Sequence, residues 1–173
     1  VLQQALAYSV LANGGTLYQP QVVRSIETSD GTVVQEFPPR VRRVVPVDDD
    51  HLHRIQRALT GVVTERSGTA HAERLPGVDM AGKTGTAQVS HVTPRGVDPK
   101  KVWYFNRDHA WFSGYAPSTS PEIALAVLVE HGGGGGKHAV PIAMRIVSDW
   151  QELKSKRLVA RAAAQKGRKG SAP

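Results

Sequence analysis

Apolar residues at Leu2, Ala5, Leu6 and Val10, with Ser9 among them, follow the three-and-four spacing of a helix over residues 1–12. Asn13-Gly14-Gly15 then ends that helix in the way a left-handed C-terminal cap requires. Between residues 17 and 47 the period shortens to that of β-structure. Residues 22–28, the turn Ser29-Asp30-Gly31 and residues 32–35 predict a hairpin, which Pro38-Pro39 stops. Asp48-Asp49-Asp50 supplies caps and favourable charge for a helix over 50–65. Leu52, Ile55, Leu59 and Val62 form its predicted apolar stripe, and Gly68 lies beyond its end.

The second half reads as strands followed by a helix. Residues 80–90 alternate small and apolar side chains, and a second strand over 110–116 ends at Pro117. Residues 122–130 are almost continuously apolar, which predicts a central strand covered on both faces. The link between the last two is short enough for an antiparallel pair. A flexible loop is expected at 132–136, with Pro141 in the first turn of a closing helix whose core positions are Ile142, Ile146, Trp150 and Leu153. The fold class is therefore α/β (α+β), a three-stranded antiparallel sheet flanked by helices.

Charge changes this picture only at one end. The formal net charge is +7, yet seven cations and no acids lie from Lys154 onwards, leaving 15 cations and 15 acids in residues 1–153. Residues 1–153 are read as the folded portion and 154–173 as a basic tail, disordered or loosely helical. The bland reading of such a tail is a solvated terminus, and no nucleic-acid partner is expected. No apolar run approaches the length of a membrane span, and no cysteine is present for disulfides or thiolate metal sites. The pair His51 and His53 are two apart on a helix and point to different faces, so no metal site is expected there. The chain begins at Val1 rather than Met and is expected to be part of a longer protein.

The candidate chemistry lies in Ala81-Gly82-Lys83-Thr84-Gly85-Thr86-Ala87-Gln88-Val89. Together with Gly77 these residues satisfy the phosphate-loop pattern G-x-x-x-x-G-K-T letter for letter. That loop needs a buried strand before it and a helix after it, because the helix N-terminus helps to hold the phosphates. Here Glu73-Arg74-Leu75-Pro76 stands where the strand should be, and Gly85 where the helix should begin, so both flanks fail. An edge strand is the better reading. Gly85 lets a ligand backbone lie close, so that a peptide can add as a further strand. The hydroxyls of Thr84 and Thr86 can donate to a carboxylate, Lys83 adds positive potential, and the Thr86 N–H can serve an oxyanion hole. On three letters alone, a plain polar edge strand would remain the simpler account.

The longer string AGKTGTAQV resembles the class B penicillin-binding proteins, especially the penicillin-binding protein 2 type, and K-T-G is among the motifs of serine β-lactamases too. Residues 61–70, 109–117 and 123–129, the Gly-rich loop and the closing helix are similar to neighbouring elements of that family. So is the segment around Asn13-Gly14-Gly15, and the resemblance ends near residue 150. It implies the C-terminal part of a serine β-lactamase/transpeptidase fold, with Lys83 catalytic and Thr84, Gly85 and Thr86 binding substrate. It further implies a peptide ending in D-Ala-D-Ala as substrate, β-lactams as acylating ligands and no cofactor. The implied parent is membrane-anchored at the extracytoplasmic face of a bacterial inner membrane, with cell-wall synthesis partners.

The family's nucleophile, a serine in S-x-x-K, has no counterpart here, and neither has S-x-N. Tyr104-Phe105-Asn106 fits a Y-x-N pattern but stands after the K-T-G strand, in the wrong chain order. The 173 residues alone are thus expected to be inactive, and poorly soluble or partly unfolded because an apolar sheet edge lacks its neighbours. Rival readings are a β-lactamase or D,D-carboxypeptidase fragment, and a non-catalytic penicillin-recognising sensor. The GTAQV extension argues for the transpeptidase. Elongation and division roles are not separable from these letters.

Overall fold

The computed structural model describes residues 1–89 and 101–169, with side chains as far as residue 160. Helix α1 (Leu2–Ala12) ends at Asn13, where Gly14 takes φ +81° and the Gly15 N–H returns to Val10 O at 2.9 Å. That bond closes the expected left-handed cap. Two small antiparallel pairs come next: β1 (Thr16–Tyr18) with β4 (Val41–Val44), and β2 (Ser25–Glu27) with β3 (Val33–Glu36). The β2–β3 hairpin overlaps the predicted one, but its first arm begins three residues later and its second ends one residue later.

Helix α2 (Asp49–Thr64) starts where the acids predict, with the Asp48 carboxylate accepting from the Asp50 and His51 amides. Its buried stripe is Leu52, Leu59 and Val63, whereas Ile55 is exposed and Val62 half-buried. The face is rotated by about one residue from the predicted one. It must serve both the small cluster under α1 and the main core, which Val63 joins.

Strands β5 (Ala81–Ala87), β6 (His109–Ala116) and β7 (Ile123–Val129) form one antiparallel sheet in the order β5-β6-β7. Of the predicted 80–90 strand, Ser90 lies outside the described residues. The central strand is β6, and the expectation that the apolar run of β7 marks the centre is corrected. That strand is apolar on both faces because α1 packs on one side of it and α3 on the other. Coverage is a matter of helices here, and centrality a matter of pairing.

Helix α3 (Gly135–Lys169) covers the face bearing Ala110, Phe112, Leu125 and Val127. It starts inside the stretch predicted as a loop, so Pro141 falls in its second turn rather than its first. Its buried residues are Ala139, Val140, Ala143, Met144 and Val147, while Ile142, Ile146 and Leu153 are exposed. The closest approach to the sheet and its neighbours is at Gly135 and Gly136, where a Cβ would meet Gly85 O and Thr69 O. At 35 residues α3 is about 52 Å long at 1.5 Å per residue, twice the span of the strands it covers. Its second half runs past the sheet. The helix is described through Lys169, in keeping with a run of Ala, Lys, Arg and Gln, and residues 170–173 lie outside the described residues.

Candidate active site

Strand alternation sorts the K-T-G residues onto two faces. Lys83 pairs across with Ser113 and Gly85 with Trp111, on the α1 side; Thr84 pairs with Phe112 and Thr86 with Ala110, on the α3 side. Because β5 is the outer strand, both rows border its free margin. A cleft of about 280 Å³ opens there, lined by Gln4 and Tyr8 of α1, residues 83–87 of β5, and Trp111 and Ser113 of β6. All four residues expected from the sequence, Lys83, Thr84, Gly85 and Thr86, line it.

The cleft floor is flat for a definite reason. A Cβ on Gly85 would stand 3.2 Å from Trp111 Cβ, close but not impossible, and would rise into the cleft. From behind, Gly135 at the start of α3 lies against the same rung: a Cβ there would meet Gly85 O at 2.3 Å and Trp111 O at 2.4 Å. No side chain can stand at 135 without moving the strand. The loop glycines singled out as flexible are thus partly a packing device.

Lys83 is exposed, and its ammonium donates to Thr84 O at 3.0 Å, its one hydrogen bond among the described residues. Opposite it, Ser113 is 6% exposed. The Thr84 hydroxyl lies 2.6 Å from the Thr69 hydroxyl. Beneath α1, Tyr115 is fully buried with Leu59 and Ala81, and burial raises the phenols of both Tyr115 and Tyr8 above the usual range. Both stay neutral, and Tyr8 offers the cleft a hydroxyl rather than a charge. An ammonium, hydroxyls and an unpaired strand margin together suit an extended peptide carrying a carboxylate.

Sequence reasoning misses Gln4, Tyr8, Trp111, Ser113 and Thr69. Alternation along 110–116 marks Trp111 and Ser113 as one row, but only the register with β5 puts that row beside Lys83. Tyr104-Phe105-Asn106 is a short 3-10 turn whose Tyr104 and Phe105 rings pack against His131, outside the cleft lining. The motif lies within a strand and runs through its glycine without starting a helix, so the phosphate-loop arrangement is absent at these residues. Among the described residues no group of three or more His, Cys, Asp or Glu side chains could hold a metal ion, and no helix is long and apolar enough to cross a membrane.

A family profile described as the penicillin binding protein transpeptidase domain matches residues 1–148. The chain belongs to this family. MrdA relatives and penicillin-binding protein 2 structures are among its matches, in keeping with a class B penicillin-binding protein transpeptidase domain. Peptidoglycan D,D-transpeptidase MrdA of Acinetobacter baumannii is 34% identical over 151 residues, covering 86% of this chain and 22% of the relative. The ceftriaxone acyl-enzyme complex of penicillin-binding protein A from M. tuberculosis superposes with a TM-score of 0.63 at 28% identity, over 83% of this chain and 30% of that one. Penicillin-binding protein 2 in its complex with MreC from Helicobacter pylori gives 0.64 at 26% identity, over 86% and 24%. The chain therefore spans between a fifth and a third of the lengths of these proteins, and it occupies the family's transpeptidase fold.

Proposed function

We propose that these residues form the substrate-docking part of a peptidoglycan D,D-transpeptidase that is acylated by β-lactams. The observation that carries the reading is the outer strand β5, flattened at Gly85, with Lys83, Thr84 and Thr86 bordering one cleft. A stem peptide ending in D-Ala-D-Ala adds along the free margin of β5. Its terminal carboxylate takes the Thr84 and Thr86 hydroxyls, and the scissile carbonyl oxygen takes the Thr86 N–H. A serine supplied by another part of the parent protein attacks that carbonyl. An ester forms to the penultimate residue, and terminal D-alanine leaves as the amine with the proton the serine lost. Lys83 favours that step by holding positive potential where negative charge develops. Acylation in the M. tuberculosis neighbour and the MreC partnership of the Helicobacter neighbour support β-lactam binding and a place among cell-wall synthesis partners at the extracytoplasmic face. The basic segment from Lys154 stands outside this reading, as a helical extension of α3.

Labelling with a fluorescent penicillin tests the proposal. The full-length parent takes the label and the 173-residue chain does not. Labelling of the short chain overturns the assignment of the nucleophile to another part. Rapid release of the label from the parent would instead indicate a β-lactamase, and no labelling of the parent a non-catalytic binding module.

A further inference from the structure

Thr69 lies outside the K-T-G string, yet three elements converge to hold it against β5. Gly68 packs onto the last turn of α2, where a Cβ would meet Val62 O at 2.3 Å and Gly61 O at 2.6 Å. On the other side the Ala70 N–H bonds to Val62 O at 3.1 Å, and Ala70 itself is fully buried in the main core. Gly136 of α3 closes the third side, its absent Cβ falling 2.5 Å from Thr69 O. The backbone of Thr69 is thus fixed from both chain directions and from above. Its hydroxyl lies 2.6 Å from that of Thr84, within the range of a good O–H···O bond, and this is its one hydrogen bond among the described residues.

A threonine hydroxyl has one proton to give and can accept two. If Thr84 gives its proton to Thr69, it has none for a ligand. If Thr69 donates to Thr84, the Thr84 proton is directed outwards, and each bond polarises the next. An arriving carboxylate selects the second arrangement. We infer that Thr69 is a positioning residue for the ligand carboxylate, acting through the Thr84 hydroxyl; this rests on the reading of Thr84 as a carboxylate-binding residue. Thr69 is exposed but is not among the residues that line the cleft. It decides where the proton of Thr84 points.

The test uses the full-length protein and a fluorescent penicillin, with saturation kinetics separating the apparent binding constant from the limiting acylation rate. Thr69→Val keeps the shape and removes the hydroxyl. It should weaken binding about two- to tenfold, the worth of one hydrogen bond between neutral groups, and change the limiting rate less than about twofold. Thr69→Ser should restore binding. Against the methyl ester of the same penicillin, which has no carboxylate, Thr69→Val and wild type should bind alike. In a Thr84→Val background, adding Thr69→Val should change nothing further. Equal loss towards acid and ester would mean a merely structural role and overturn the inference, as would wild-type binding by Thr69→Val. Failure of the wild-type parent to label at all is a different result, because it removes the transpeptidase reading on which the inference stands.

Discussion

The two faces of the three-stranded sheet are built from alternate residues of the same strands, yet they differ in kind. On the α3 side, Phe112, Leu125 and Val127 join Ala139, Val140, Ala143, Met144 and Val147 in one continuous core. On the α1 side the buried cluster among the described residues is the smaller one of Leu59, Ala81 and Tyr115, and beyond it Trp111, Ser113 and Lys83 open onto the cleft. Phe112 and Ser113 are neighbours in sequence and serve opposite ends of this division. The closed face fixes where the strands lie, and the open face is left free for a ligand.

Damage confined to the closed face should have the largest effect. Phe112→Ala removes a fully buried ring and should cost about 3–5 kcal/mol in urea unfolding of the full-length protein. A loss below about 1 kcal/mol would mean that α3 does not hold the sheet as described. On the open face the expectation is reversed. Gly85→Val puts a side chain into the cleft where, among the described residues, Trp111 is the one close neighbour of its Cβ, so the melting midpoint should change little. Penicillin acylation should fall about tenfold or more, because the ligand main chain can no longer reach the strand. Unaltered acylation would remove peptide docking on β5 from the account.

The smallest effect belongs to a region on neither face. In the β2–β3 hairpin the Asp30 carboxyl is held below the usual carboxylate range, first by the Thr28 hydroxyl and then by the Thr32 amide. A lowered folded-state value means that this contribution is present above the unfolded carboxylate range. It is lost as pH falls through the folded value. Asp30→Asn should therefore leave acylation at neutral pH unchanged and shift the melting midpoint by less than about 2 °C. A larger shift would tie the hairpin to the sheet core.

Much of this arrangement is legible from local signals. Asp48 announces the start of α2, Asn13-Gly14-Gly15 the end of α1, and the glycine in K-T-G an outer strand that a ligand can approach. What stays hidden is non-local. Ile142 and Ile146 suggest the buried face of α3, but the face that meets the sheet is Ala139, Val140, Ala143, Met144 and Val147, a phase that only packing against the strands sets. The apolar run of β7 suggests centrality, but periodicity reports coverage and says nothing of pairing order. Thr69 lies in a segment that resembles the family's turn before the motif, but the role inferred for it arises only where α2, α3 and β5 meet.

Gly135 resting on the rung between Gly85 and Trp111 has a consequence for affinity. A strand that had to be ordered by its ligand would cost each arriving peptide the lost freedom of several residues, about 1–2 kcal/mol apiece. With the first turn of α3 pressed against it, the strand has surrendered that freedom during folding. If a peptide docks on β5 as proposed, it has only itself to order, and the preorganised strand raises its affinity.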